Sequence, residues 1–316
     1  MPEPLWKVTG VMPTLPLASY DCFSDIAFGG SIAMMVSQAD GLDEATMRQI
    51  AREFSAPATC FIQEVSGDTV RVRFFSPVAE LPMCGHGTMG LFTNLMAEGE
   101  IGWNGADRRT ASLVTPIRTS KVELIRTSDG RPRVLLDLKL PAFAGPAIAR
   151  DTLAGLLGTN PAAMDTALPL ETAGADFVHL PVAMASLEAL SALRPDFPAL
   201  GRYCMDRGIG TVIAFSTQTA DPDAAWRCRD FCPAVGVNEA PAVGTSNGAL
   251  ACYLVRHGVL TPDAGGRIAV HAEQGIEVGR PSRIDIEMDV ADGAATAVRV
   301  GGMATRIISG SLAIPG

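Results

Sequence analysis

Aromatic side chains are scarce in this chain, 6% of 316 residues, and charged ones reach only 19%. The basic side is thinner than the acidic, 25 Lys and Arg against 34 Asp and Glu, for a formal charge of −9. With no basic stripe, nucleic acid is excluded as an expected partner. A small anionic substrate is not excluded, because backbone dipoles alone can hold one. Long hydrophobic runs are missing too: none approaches the roughly 20 residues that span a bilayer, and no basic segment precedes an apolar run at the N-terminus. Membrane association is therefore not expected, and a cytoplasmic location is. The seven cysteines, an odd number, show neither C-x-x-C nor Cys/His metal spacing. This argues against a disulfide framework or a zinc site and for reduced thiols. No metal, nucleotide or flavin signature is present, so the expected cofactor is none.

Apolar residues make up 47% of the chain, which suits a globular protein of two ordinary domains. Its most informative segment is Pro82-Met83-Cys84-Gly85-His86-Gly87-Thr88-Met89-Gly90. A thiol and an imidazole lie two residues apart, between glycines, where a helix should begin. Unpaired N–H groups at such a start favour an anion, and glycine lets a ligand come close to the backbone. The same dipole can stabilise a thiolate. Together these features suggest proton transfer beside a bound carboxylate.

Periodicity predicts strands at Leu17–Phe23, Ile32–Val36, Thr59–Glu64 and Val70–Phe75, the last two joined by a Ser66-Gly67-Asp68 turn. Helices are predicted over 43–54 with Asp43 in the N-cap region, over 88–98, and over 248–256. Strands are expected again at 268–272, 282–288 and 297–308. Leu140 to Pro146, with two prolines and a glycine, is the linker candidate, which divides the chain into domains 1–139 and 140–316. The halves echo each other. Arg73-Phe74-Phe75-Ser76-Pro77, Pro82-Met83-Cys84-Gly85 and a helix ending at Gly99 match Arg229-Asp230-Phe231-Cys232-Pro233, Pro241-Ala242-Val243-Gly244 and a helix ending at Gly258. Such duplication implies a pseudo-two-fold. In register, Val243 stands opposite Cys84.

These words resemble the phenazine-biosynthesis isomerase (PhzF-like) family, a branch of the diaminopimelate epimerase-like fold. The resemblance runs almost end to end: Asp21-Cys22-Phe23-Ser24-Asp25, Phe28-Gly29-Gly30-Ser31, Gln49–Phe54, Phe75–Pro82, Gly85-His86, Glu273–Ser282 and Val300–Ala304. It implies an α+β fold of two pseudo-symmetric domains, each a β-barrel-like sheet around a central helix, with the active site in the cleft between them. The last strand is allowed to cross back to the first domain, and a homodimer is implied. Two positions depart from the family. Ala58 stands where its acid/base glutamate falls, and Ala240 where its aspartate falls. Cys84, in turn, is similar to the thiol of the M-C-G-[HN]-G word of the proline racemase and diaminopimelate epimerase branches, whose second cysteine would fall at Val243.

The expected function is a cofactor-independent isomerase moving a proton on a small carboxylic acid by a 1,3-shift or double-bond migration. Cys84 is the single base in this reading, and His86 orients the substrate or relays the proton. The backbone of Gly85, Gly87 and Thr88 from one half and of Gly244, Thr245 and Ser246 from the other grips the carboxylate, with Ser31 contacting the substrate. The bland readings are a filler role for Cys84 and a capping role for His86. Cys60, Cys232 and Glu239 are the reserve acid/base groups; Asp230 reads as a strand-edge charge, and His179, His257 and His271 as structural. Racemisation of an amino or hydroxy acid is the first alternative and requires a second base. A non-catalytic binder on the same fold is the second.

Overall fold

The computed structural model describes residues 13–145 and 148–314. The first half runs β1 (Thr14–Cys22), β2 (Ser31–Val36), α1 (Glu44–Phe54), β3 (Ala58–Ser66), β4 (Thr69–Phe75), β5 (Glu80–Leu81), α2 (Gly85–Ala97), β6 (Arg108–Val114), β7 (Thr119–Arg126) and β8 (Pro132–Leu138). The second runs β9 (Ala142–Ala144), α3 (Arg150–Leu156), β10 (Thr172–Gly174), β11 (Val178–Ala183), α4 (Leu187–Ser191), α5 (Phe197–Met205), β12 (Thr211–Ser216), β13 (Trp226–Cys232), β14 (Val237–Ala240), α6 (Gly244–Arg256), β15 (Arg267–Gln274) and β16 (Ser282–Ala291). Two closing strands, β17 (Ala294–Gly302) and β18 (Ala304–Ala313), tie the halves together. β17 pairs with both β16 and β8, and β18 returns along β1.

The internal echo is a topological repeat. In the first half β2 and β3 are parallel, β3–β4 and β4–β5 antiparallel, and the strand after the central helix joins β4 in parallel. In the second half β11, β12, β13, β14 and β15 repeat that pattern. Even the ion pairs recur. Arg73 holds Glu80 at 2.7 Å and Arg229 holds Glu239 at 2.8 Å, each from both nitrogens of the guanidinium fork.

Helices α2 and α6 are apolar around nearly their whole circumference because strands surround them, and they share one core cluster. Helix α1 is amphipathic instead, burying Met47, Ile50 and Ala51, and Asp43 caps it by accepting the Thr46 N–H at 2.8 Å. Separate outer cores lie under α1 and under α3–α5.

The sequence periodicity started both central helices too late. Helix α2 begins at Gly85 rather than Thr88, and α6 at Gly244 rather than Gly248. Glycines hide the first turn from any propensity argument, yet close packing demands them. A Cβ on Gly87 would stand 2.9 Å from the Cys60 sulfur and 3.1 Å from the Phe74 ring. The sequence expectations do not include α3, α4 or α5: α3 and α4 are too short to show a period, whereas α5 has one, with Leu200, Gly201 and Cys204 on its buried face. The stretch 297–308 is two strands, parted at Met303. The linker candidate holds β9, paired with β10, because Pro141 and Gly145 flank rather than interrupt those residues; Pro146 lies outside the described residues.

Candidate active site

Cys84 is the N-cap of α2. Its backbone is extended, and its sulfur accepts the Gly87 N–H at 3.4 Å. His86 in the first turn brings Nδ1 to 3.5 Å and Nε2 to 3.6 Å of the same sulfur. The helix start therefore places thiol and imidazole together, but it leaves the thiol protonated at rest. Burial pushes Cys84 up to about 12, and the N–H groups of Gly87 and His86 only partly offset it. Desolvation pushes His86 down to about 4, so its ring is neutral. A preformed thiolate, expected from the dipole, is thus outweighed by burial.

The backbone donors of this helix are also fewer than expected. The Gly87 N–H is spent on the sulfur and the Thr88 N–H on the Cys84 carbonyl at 2.9 Å, with the Thr88 hydroxyl on that same carbonyl at 2.8 Å. Of Gly85, Gly87 and Thr88, only Gly85 keeps a helix-start N–H for a ligand.

At the other helix start, Val243 offers no side-chain cap to α6. Gly244, Thr245 and Ser246 present the first-turn N–H groups, while the Ser246 hydroxyl is bound to the Val243 carbonyl at 3.1 Å. Asn247, the next residue of α6, is structural. Its amide donates to the Val243 carbonyl at 2.9 Å and to Gln274 at 2.8 Å, and Gln274 donates to the Ala240 carbonyl at 2.8 Å. This net holds the 240–243 loop against β15.

Phe23 lies between the two ends. A Cβ on Gly244 would meet its ring at 3.1 Å, and one on Gly302 would meet both that ring and Met89 of α2. Ser31 opens β2, buried and paired with Cys22. Its turn is clamped by Arg280, which donates to the Gly29 and Gly30 carbonyls at 2.6 and 2.7 Å and to Asp21 at 2.7 Å. Nothing in the periodicity marked Arg280 as that clamp.

Residues 20–310 match the model of the phenazine biosynthesis-like protein family, PhzC-PhzF. The chain belongs to the PhzF family. Its relatives are isomerases by name. It is 32% identical over 299 residues to an uncharacterized isomerase of Deinococcus radiodurans, covering 92% of this chain and 93% of that one. It is also 32% identical over 264 residues to the trans-2,3-dihydro-3-hydroxyanthranilate isomerase of Pseudomonas fluorescens, covering 83% and 86%. The crystal structure of a PhzF-family protein of Bacillus anthracis superposes with a TM-score of 0.86 at 22% identity, over 96% of this chain and all of that one. The architecture is the diaminopimelate epimerase-like one, and the chain is an isomerase of the PhzF type. Among the described residues no helix is long and apolar enough to cross a membrane.

In this PhzF-family chain the reserve groups are all engaged. Glu239 is locked to Arg229, both almost fully buried. Cys60 is buried in the first half with its thiol on the Gly87 carbonyl at 3.5 Å. Cys232 points its thiol at Asp230. Asp230 is no strand-edge charge: it is 0% exposed. It sits in central strand β13, flanked by β12 and β14, and pairs across with Ala240. Burial pushes its carboxyl up to about 6, with Ser246, Thr211 and Cys232 pulling the other way. The alternation along Trp226–Cys232 could have flagged a charge on the inward face, but an isolated Arg-Asp pair reads equally well as an edge.

Proposed function

We propose that this protein is a cofactor-independent isomerase that relocates a proton on a small carboxylic acid, with Cys84 as its thiol acid/base. The observation that carries the reading is the Cys84–His86 pair at the head of α2. A sulfur within 3.6 Å of both imidazole nitrogens can give its proton to a carbanion, or take one as its own passes to His86. Gly85 from one helix start and Gly244, Thr245 and Ser246 from the other would hold the carboxylate and spread developing enolate charge. Ser31, fixed by the Arg280 clamp, would border the substrate. The seven unpaired thiols suit a reducing compartment such as the cytoplasm. A shift of hydrogen between carbons fits a site whose halves differ better than racemisation does, since Val243 cannot mirror Cys84.

The test is proton NMR in D2O. Wild type and Cys84→Ala are compared on a panel of amino, hydroxy and unsaturated carboxylic acids that includes trans-2,3-dihydro-3-hydroxyanthranilate. Net conversion should occur with wild type and fall by about 10²–10⁴-fold in Cys84→Ala. Conversion that survives the substitution would sink the thiol mechanism. Deuterium at a new carbon marks an isomerase, whereas inversion at the original one marks a racemase.

A further inference from the structure

The repeat brings one polar cluster to the head of α6 for which the first half has no counterpart. Strand register defines it. Cys60 pairs with Phe74 in the first half and Ile213 with Asp230 in the second, so Asp230 takes the place of Phe74. Two residues earlier, Thr211 takes the place of Ala58, the position of the lost family glutamate. Next to them Ala33 pairs with Ala58, whereas His179 pairs with Thr211. The first half thus presents Ala33, Ala58 and Phe74, and the second presents His179, Thr211 and Asp230.

The cluster holds two hydrogen-bonded pairs and one open acceptor. His179 Nδ1 lies 2.9 Å from the Thr211 hydroxyl, and the Cys232 thiol donates to Asp230 Oδ1 at 3.4 Å. Asp230 Oδ2 is buried and makes no hydrogen bond, although the Ser246 and Thr211 hydroxyls lie close enough to draw the carboxyl's pKa down; the Ser246 hydroxyl donates to the Val243 carbonyl at 3.1 Å instead. A buried carboxylate oxygen without a partner costs stability and suggests a missing ligand or a proton. Directly paired residues on antiparallel strands share a face, so Asp230 projects beside Ala240, where the family aspartate would stand.

We propose that Asp230 is the second proton-transfer group of this enzyme, restoring from a neighbouring strand the carboxylate lost at Ala240. The inference rests on the proton-transfer reading of Cys84. Asp230 Oδ2 takes hydrogen from a substrate carbon, breaking C–H and forming O–H, and the electron pair spreads into the adjoining unsaturation or carboxylate. The Cys84 thiol then protonates the other carbon, breaking S–H and forming C–H. Loss of the Asp230 proton to water and reprotonation of Cys84 restore the start, with no oxidant or co-reactant. The order follows from the resting charges, a thiol on one side and a carboxyl that ionises near neutrality on the other. The ionisable neighbours of Asp230 are Cys228, Cys232, His179 and Glu239. Burial holds the cysteines and His179 neutral, and Glu239, paired with Arg229, adds to the upward pull on Asp230.

Wild type, Asp230→Asn, Asp230→Ser and Cys84→Ala are compared in D2O on the acid that wild type converts. The Asp230 variants should lose both hydrogen wash-out and conversion by about 100-fold or more. Cys84→Ala should keep wash-out at the carbon facing Asp230 while losing conversion. Conversion by Asp230→Asn within about threefold of wild type overturns the proposal and leaves the role of Cys84 standing. Indifference to both substitutions removes the function reading as well. If no acid in the panel turns over, infrared difference spectra of wild type against Asp230→Asn decide. A protonated-carboxyl C=O band growing between about pH 8 and about pH 5 supports a transferable proton, and its absence overturns it.

Discussion

The two halves share a topology down to their Arg–Glu pairs, yet the heads of their central helices have opposite chemistry. At α2 a cysteine caps its own helix, and the strands around it present alanine and phenylalanine. At α6 a valine leaves the helix uncapped, and the surrounding strands present His179, Thr211 and Asp230. A duplicated fold fixes where chemistry can stand. Which side chain stands there is free to differ, and here the thiol and the carboxylate have been divided between the halves.

Substitutions can break that comparison or sharpen it. After the loss of conversion expected from Cys84 and Asp230 variants, the largest effect should come from the repeated ion pair. Arg229 and Glu239 are 6% and 8% exposed, whereas Arg73 and Glu80 are 17% and 25%. Arg229 also serves the Leu190 and Leu193 carbonyls. Arg229→Ala should therefore cost about 3–5 kcal/mol in denaturant unfolding, and Arg73→Ala clearly less. Equal losses would show that the halves do not differ here.

Asp230→Asn should act in the opposite sense on stability. The folded carboxyl is raised from 3.8 to about 6, so protonation favours the fold. The stabilising contribution is complete below the unfolded value and lost as pH rises through about 6. Asn should hence stabilise by roughly 2–3 kcal/mol above that range and by nothing near the acid limit. Melting curves taken across the range check the sign, and a gain that persists in acid would refute it. The smallest effect is expected at the missing cap: Val243→Ser should add about 1 kcal/mol by giving α6 the side-chain acceptor that α2 already has. An unchanged melting temperature would show that the Gln274 net already fixes that turn.

Sequence alone determined the duplication, the family and the Cys84–His86 word. Those depend on residue order and on glycines that few other backbones require. It also located the heads of both helices, although it placed their first turns late because glycine carries no helical signal. What only the tertiary structure decided is which polar groups are free. The first turn of α2 spends Gly87 and Thr88 on the Cys84 sulfur and carbonyl, the pairing of β13 with β14 gives Glu239 to Arg229, and the packing of α6 on β15 gives Asn247 to Gln274. Asp230 shows the difference most plainly. In sequence it is one acid beside one arginine. In the fold β12, β14 and α6 close over it, and desolvation by those elements turns an ordinary carboxylate into a proton-transfer candidate.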